Sequence, residues 1–289
     1  MGARVLITGL AGFTGRYVAA AVAARGDTVV DPHAVATEFD LTRPDTVHDM
    51  VAAAAADHVI HLAAISFVGH GEAAAFYAVN TVGTVTLLDA LAAAAHPVRS
   101  VVVASSANIY GNTAVSPLTE DQPLAPANHY AASKVALEAL VGQRQGAVST
   151  VVTRPFNYTG RGQSLQFLVP KIVDHFIRRA PVIELGNLDV ERDFSDVRDV
   201  ADAYARLLDA PGGTVVNLCS GMAHSLRSVI ATCTEITGHT IEVSVNPAFV
   251  RANEVRTLVG STARIDRITG GGARRPFADT LRWMLDGRE

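Results

Sequence analysis

Short apolar runs rich in valine and isoleucine alternate with longer Ala- and Leu-rich stretches through the first two-thirds of the chain. The runs at 5–8, 28–30, 58–62, 100–104 and 150–153 are too short for helices and lack a polar face. They predict buried strands. The intervening stretches 14–24, 45–55, 73–94 and 130–145 predict helices. Strands alternating with helices imply a right-handed, doubly wound parallel sheet covered on both faces, an α/β architecture. After Arg154-Pro155 the pattern becomes irregular. Helices are expected over 167–179 and 196–209, a strand over 214–218, and mixed structure over 226–289. The division that follows is a main domain over 1–155, its sheet revisited by about 196–220. A smaller C-terminal lobe takes 156–195 and 221–289.

Composition narrows the class. At 289 residues the chain has room for one large domain or two unequal ones, and 49% hydrophobic residues suffice for a substantial core. A net charge of -4 with no basic run argues against a nucleic-acid partner. Cys219 and Cys233, the only cysteines, form neither a zinc framework nor a disulfide scaffold, so a reducing compartment is expected. The ten histidines show no metal-ligand spacing, and no metal is expected. Met1-Gly2-Ala3-Arg4 runs directly into Val5-Leu6-Ile7, too abruptly for a signal peptide. Leu6 stands where myristoylation would want Ser or Thr. The Ala-rich stretches are interrupted by charges or histidines, so no membrane span is expected and a cytoplasmic location follows.

Candidate chemistry begins immediately after the first strand. Gly9, Gly12 and Gly15 form Gly-x-x-Gly-x-x-Gly at the mouth of the first helix. In that setting one glycine makes a tight turn, the next admits a pyrophosphate to the backbone, and the third lets helix and strand pack closely. The helix start adds free N–H groups and a positive dipole end. An ordinary glycine-rich turn is the alternative. Asp31, 31 − 9 = 22 positions after the first glycine, ends the second strand. It suits both hydroxyls of an adenosine ribose and would repel a 2′-phosphate, which favours NAD(H) and leaves NADP(H) open. A turn aspartate before Pro32 is the other reading, and Arg25 and Arg43 lie near enough in sequence to complicate the preference. Asp40, read as the end of the next strand, could meet the adenine amino group or cap the helix near Asp45, a role Thr42 could also fill. Tyr130 and Lys134 stand at i and i+4, on one face of a helix. There the ammonium would lower the phenol's pKa and fit it to exchange a proton with a carbinol or carbonyl oxygen.

The motifs together carry a family resemblance. Thr8-Gly9-Leu10-Ala11-Gly12-Phe13-Thr14-Gly15, His61-Leu62-Ala63-Ala64, Asn80-Thr81-Val82-Gly83-Thr84, Ser105-Ser106-Ala107-Asn108-Ile109-Tyr110-Gly111, the Tyr130/Lys134 pair and Arg154-Pro155-Phe156-Asn157 span most of the chain. They resemble the extended short-chain dehydrogenases/reductases, the NAD-dependent epimerase/dehydratase group that modifies nucleotide-activated sugars on a Rossmann-like fold. The C-terminal segments Arg192-Asp193-Phe194-Ser195-Asp196, Asn217-Leu218-Cys219-Ser220-Gly221 and Arg251-Ala252-Asn253-Glu254 are most similar to the branch acting on GDP-4-keto-6-deoxy-D-mannose. The resemblance implies Ser106, Tyr130 and Lys134 as catalytic residues. It places the dinucleotide on the glycine loop with Phe13 and Thr14, and on Asp31, Asp40 and Leu41. Leu62, Ala63 and Ala64 complete that site, with Lys134 bonding the nicotinamide ribose. Asn157, Arg192 and Arg251 would meet the substrate's diphosphate, because a guanidinium fork pairs two oxygens at once. Glu254 would bond the nucleotide's ribose or orient Arg251. Ser105 and Tyr110 are read as structural, Lys171 as facing solvent, and His61 as a strand-end residue. A homodimer is a family expectation.

The same segment selects the reaction. Dehydratases of the family carry acidic residues after the Ser/Thr, and here Ala107 and Asn108 stand there, neither able to act as a general acid or base. The expected activity is therefore NAD(P)H-dependent reduction of a nucleotide-linked 4-keto-6-deoxy sugar, with the proton from Tyr130. The alternative is an NAD-dependent 4-epimerase that retains its cofactor. A 4,6-dehydratase or a non-catalytic cofactor sensor fits the residues less well.

Overall fold

The structure is a computed structural model that describes residues 2–66, 72–246 and 256–287. The first half runs β1 (Arg4–Thr8), α1 (Phe13–Ala24), β2 (Thr28–Val30), α2 (Pro32–Val35), α3 (Pro44–Ala54), β3 (His58–His61), α4 (Ala73–Phe76), α5 (Thr84–Ala93), β4 (Ser100–Ala104), α6 (His129–Gly142) and β5 (Thr150–Pro155). A π-helical segment, Tyr77–Gly83, joins α4 to α5, and a 3-10 turn, Ala107–Tyr110, follows β4. The second half runs β6 (Asn157–Thr159), α7 (Leu168–Ile177), β7 (Val182–Leu185), β8 (Glu191–Asp196), α8 (Val197–Leu207), β9 (Val215–Leu218), β10 (Ala223–Ser225), α9 (Leu226–Thr237), β11 (Glu242–Val245), β12 (Thr257–Leu258), α10 (Ala263–Thr269) and α11 (Phe277–Leu285).

The predicted parallel sheet is present, in the order β2-β1-β3-β4-β5-β9 with every pair parallel. Strand order reverses between β1 and β3, and their register sets Thr8 beside His61 at the C-terminal edge. Such a switch point opens the crevice where α/β sheets bind nucleotides. Met50, Leu87, Leu88 and Leu137 from α3, α5 and α6 bury one face against Val101 and Val103. Val18, Val22, Val200 and Tyr204 from α1 and α8 bury the other against Val5, Ile7 and Val102. Burying each of these side chains contributes about 1.5–3 kcal/mol. The strands carry valine on both faces because helices cover both.

A third core joins α7, α9 and α11 through Ile172, Phe176, Val229 and Leu281 to Ile183 and Phe194 of β7 and β8. β8 pairs with β6, β10 and β12, and β7 with β11.

The helical stretch Ala73–Ala93 is long and apolar enough, at mean hydropathy 1.3 over 21 residues, to cross a membrane by composition alone. In the fold it is a core helix, with Phe76, Leu87, Leu88 and Leu91 buried. One local expectation fails. Asp40 ends no strand, because residues 37–40 have no ladder partner. Its Oδ1 accepts instead from the Thr42 amide and hydroxyl, both at 2.8 Å, a local turn that competes with strand pairing. Neither residue caps α3, whose N-cap is Arg43.

Candidate active site

The glycine loop is shaped by what its glycines leave out. Gly9 has φ +76, and a Cβ there would lie 2.8 Å from the Ala63 nitrogen. A Cβ on Gly15 would lie 2.3 Å from the Gly9 carbonyl oxygen. The first glycine thus lets the loop cross the end of β3, and the last lets α1 begin directly beneath the turn. Gly12 is the N-cap of α1, which has no side-chain cap and no acidic residue in its first turn. Its positive end and leading N–H groups are left for an anion. These residues fit a dinucleotide's pyrophosphate. The side chains of Phe13 and Thr14 both engage Tyr158: Phe13 stacks on it at 6.1 Å, and the Thr14 hydroxyl bonds the Tyr158 hydroxyl at 2.8 Å.

Asp31 sits at the end of β2 and caps α2, its Oδ1 accepting from the His33 amide at 2.9 Å. The turn reading is the one the structure shows, and Oδ2 has no hydrogen-bond partner among the described residues. The two arginines that complicated the cofactor preference are each committed to carboxylates. Arg25 pairs with Asp27 and Asp209, and Arg43 with Glu38 and Asp45. Asp40 is exposed, its carboxyl held below the usual range by the Thr42 hydrogen bonds. Leu41 is buried under Gly83, where a Cβ would come within 2.8 Å of the leucine Cβ. Leu62, Ala63 and Ala64 follow β3 along the rim, partly buried, with the Ala63 amide donating to the Thr8 hydroxyl at 3.3 Å.

Beyond β4, Asn128 caps α6 by accepting from the Ala131 amide at 2.9 Å, so the helix begins just before Tyr130. This brings Tyr130, Lys134 and Ser106 together at the sheet edge, each at most 7% exposed. Ser106 opens the 3-10 turn, its Oγ accepting from the Asn108 amide at 3.2 Å. The Lys134 ammonium donates to the Ala104 carbonyl oxygen at 2.7 Å. Burial, not the lysine, dominates the phenol. It pushes Tyr130 up to about 12, with Ser106 pulling it back by hydrogen bonding. This corrects the expectation that Lys134 lowers the phenol's pKa. Both groups lose water together, and desolvation takes Lys134 down to about 8.

His61 ends β3, as expected, but the bonding of four features around this triad was not read from the sequence. His61 is buried between Thr8 (Nδ1, 2.7 Å) and Thr84 (Nε2, 2.8 Å). The Thr84 hydroxyl already donates to the Asn80 carbonyl oxygen at 2.7 Å, so it accepts from His61 Nε2–H, and Nδ1 accepts from Thr8. His61 is thus a neutral link, its pKa pushed by burial down to about 3. Asn80 is fully buried in the π-helical segment. It exchanges hydrogen bonds with Ile65 at 2.8 and 3.1 Å and reaches Ser133 at 3.3 Å. An asparagine inside an apolar helix was the available signal. Tyr158 was visible only as a neighbour of Asn157. The fourth is an ion pair. Arg154 forks onto Glu138 at 2.7–3.3 Å, with side chains 7% and 9% exposed, and also bonds the Tyr110 hydroxyl at 3.0 Å. Tyr110 donates in turn to Asn217 at 2.7 Å, the packing role expected of it.

On the other side of the crevice Asn157 is exposed on β6, and Arg192 lies partly buried on β8 with one N–H on the Glu191 carbonyl oxygen at 2.8 Å. Lys171 donates to the Glu184 carbonyl oxygen at 2.8 Å. Arg251 and Glu254 lie outside the described residues. Ser105 is buried, its hydroxyl without a partner among the described residues.

The model of the NAD dependent epimerase/dehydratase family matches residues 5–219. GDP-6-deoxy-D-talose 4-dehydrogenase from Aggregatibacter actinomycetemcomitans is 33% identical, over 94% of this chain and 92% of that protein. GDP-6-deoxy-D-mannose reductase from Pseudomonas aeruginosa is 34% identical, over 98% and 96%. The solved structure of RMD from Pseudomonas aeruginosa complexed with NADPH superposes with a TM-score of 0.90 at 33% identity, covering 98% of each chain.

Proposed function

The chain belongs to the NAD dependent epimerase/dehydratase family, and from that premise we propose that it reduces the keto group of a nucleotide-linked 4-keto-6-deoxy sugar, of the GDP-4-keto-6-deoxy-D-mannose type. The observation that carries the reading is the buried triad of Ser106, Tyr130 and Lys134 beside a segment, Ala107-Asn108, with no acid to expel water. The two relatives' names share GDP and a 6-deoxyhexose, and the sugars named, talose and mannose, differ in configuration at C4. A 4-keto sugar is the common precursor such a pair implies.

The glycine loop of Gly9, Gly12 and Gly15 would hold a reduced nicotinamide dinucleotide, which when bound would supply the hydride for the keto carbon. Ser106 holds the carbonyl oxygen by hydrogen bonding, and Tyr130, protonated up to about 12, donates the proton that completes the alcohol. Lys134, anchored on Ala104, sets its charge beside the phenol and the nicotinamide ribose. Asn157, Arg192, Arg251 and Glu254 hold the diphosphate and nucleoside in the lobe of 156–195 and 221–289. The free oxygen of Asp31 favours NADH, although the Pseudomonas aeruginosa protein RMD carries NADPH. A cytoplasmic homodimer completes the reading.

The test offers GDP-, dTDP-, UDP- and CDP-linked 4-keto-6-deoxy sugars with NADH or NADPH and follows loss of reduced-cofactor absorbance. Turnover with the GDP sugar supports the proposal. A purified protein that holds NAD tightly and interconverts 4-epimers without consuming reductant overturns it in favour of an epimerase.

A further inference from the structure

Tyr130, Lys134 and Glu138 recur at every fourth position of α6 and therefore share a face. The first two stand at the proposed centre of chemistry. The third is almost as deeply buried and belongs to the next turn, where the Arg154 guanidinium grips it with two nitrogens. Arg154 is itself fixed at its other side by Tyr110 and by the Glu120 carbonyl oxygen at 2.8 Å. The fork leaves the Glu138 carboxylate little freedom to move.

Among the described residues Lys134 has no ion-pair partner within hydrogen-bond reach, and its ammonium bonds the Ala104 carbonyl oxygen. The groups around it come from several elements. His61 on β3 is neutral by burial. Tyr110 after β4, Tyr130 on α6, Tyr158 on β6 and Tyr204 on α8 all have their phenols raised and stay protonated. Asn80, Thr81 and Thr84 from the helix alongside, and Ser105 and Ser106 from the end of β4, are uncharged. His129, at the exposed start of α6, bonds Tyr77 at 3.2 Å. Glu120 faces the Asn217 amide and Arg264 instead. Among the described residues that leaves Glu138, with Arg154 on β5 behind it, as the ionised neighbours. Glu138 is also the group that opposes the desolvation of Lys134.

We infer that Glu138, held by Arg154, is a positioning residue whose carboxylate keeps the buried Lys134 ammonium charged, resting on the reading of Lys134 as the charge beside Tyr130. The pair acts through Lys134 and touches neither substrate nor cofactor. Arg154 has two duties, pinning β5 to α6 and keeping the carboxylate from moving onto the ammonium.

The chain offers an unusually clean test, because Lys134 and Lys171 are its only lysines. Protein grown on carbon-13-labelled lysine gives two side-chain resonances, assigned with Lys171→Arg. Each can be titrated in the free protein, with no substrate or dinucleotide. In Glu138→Gln the pKa of Lys134 falls by about one unit, and the basic limb of the kcat profile moves down with it. In Arg154→Gln the carboxylate is released toward Lys134 and the pKa rises. Opposite signs from the two halves of one ion pair are the signature; a merely structural bracket would lower thermal stability in both and leave the lysine titration in place. An unchanged Lys134 titration in either folded variant overturns the inference, and should Glu138→Gln not fold, Arg154→Gln reads the same quantity with the other sign. Failure of the reductase reading would show instead as an absent turnover with the lysine shifts intact.

Discussion

At the scale of the single residue, the site is governed by desolvation. Tyr130 loses its water and holds its proton to about 12, which suits a group that must give a proton away in reduction. Tyr130→Phe should lower kcat roughly 1,000-fold while the dissociation constant for the dinucleotide, measured by fluorescence titration, stays within about twofold. Turnover at the parent rate in that variant would remove the phenol from the mechanism. Lys134 moves the other way, down to about 8. It is charged below that pH and neutral above it. The kcat/KM of the enzyme in the reductive direction should therefore fall as pH rises through about 8, with no ionisation of Tyr130 contributing until far higher. The linked stability has the opposite sign. The native state binds this proton less well than the unfolded chain does, so holding the ammonium costs stability at low pH, and the cost is relieved as pH rises from about 8 toward 10.5.

At the scale of the element, the dinucleotide loop and the π-helical segment carry the most constraint. Gly15→Ala places a methyl 2.3 Å from the Gly9 carbonyl oxygen, so the loop must part from α1. Dinucleotide affinity should fall by about tenfold or more, with far-UV circular dichroism unchanged. An equal affinity in that variant would mean the loop does not close on the pyrophosphate. Asn80→Ala strips the Ile65 amide and carbonyl of their partners, and denaturant unfolding should show a loss of about 3 kcal/mol. The loop and the sheet were legible in sequence because glycine spacing and doubly buried valine strands are local patterns. Tyr130 and Lys134 were legible because helix periodicity alone pairs them. In the second half α7, α8 and β9 were legible, falling within the expected 167–179, 196–209 and 214–218, but the small strands were not. β6, β10 and β12 are two or three residues long, and β8, Glu191–Asp196, is written mostly in charged letters. Its Asp193 is buried because the amides of Ser220 and Gly221 donate to its carboxylate at 2.7 and 2.9 Å. No periodicity announces a strand whose polar residues are satisfied by a loop 27 residues away. The Glu138–Arg154 pair was hidden for the same reason, since its members lie 16 positions apart on different elements.

At the scale of the whole molecule, a packed corner fastens the dinucleotide loop to the second half of the chain. Thr14, Arg16 and Tyr17 of α1 reach Tyr158, Gly162 and Arg161 at 2.8, 3.2 and 2.8 Å. Arg161 in turn bonds the Trp283 carbonyl oxygen of α11 at 2.7 Å. The indole of Trp283 lies between two guanidinium groups, Arg198 at 3.9 Å and Arg161 at 5.1 Å, with the Tyr17 ring edge-on at 6.1 Å. Each cation–π contact contributes about 0.5–2 kcal/mol, and the indole adds the burial of a large apolar ring. Trp283→Ala should therefore cost about 3 kcal/mol of stability. It should also loosen α1 from the 158–162 segment, because Tyr17 and Arg161 lose the surface that orients them. The informative readout is the split between binding and folding. If the corner positions the dinucleotide loop, affinity for the dinucleotide falls by severalfold at temperatures where the variant is fully folded, and Trp283→Phe restores much of it by refilling the ring. If affinity is unchanged below the melting transition while Tm drops, α11 serves the lobe's stability alone, and the loop's geometry is set by Gly9 and Gly15 without help from across the crevice.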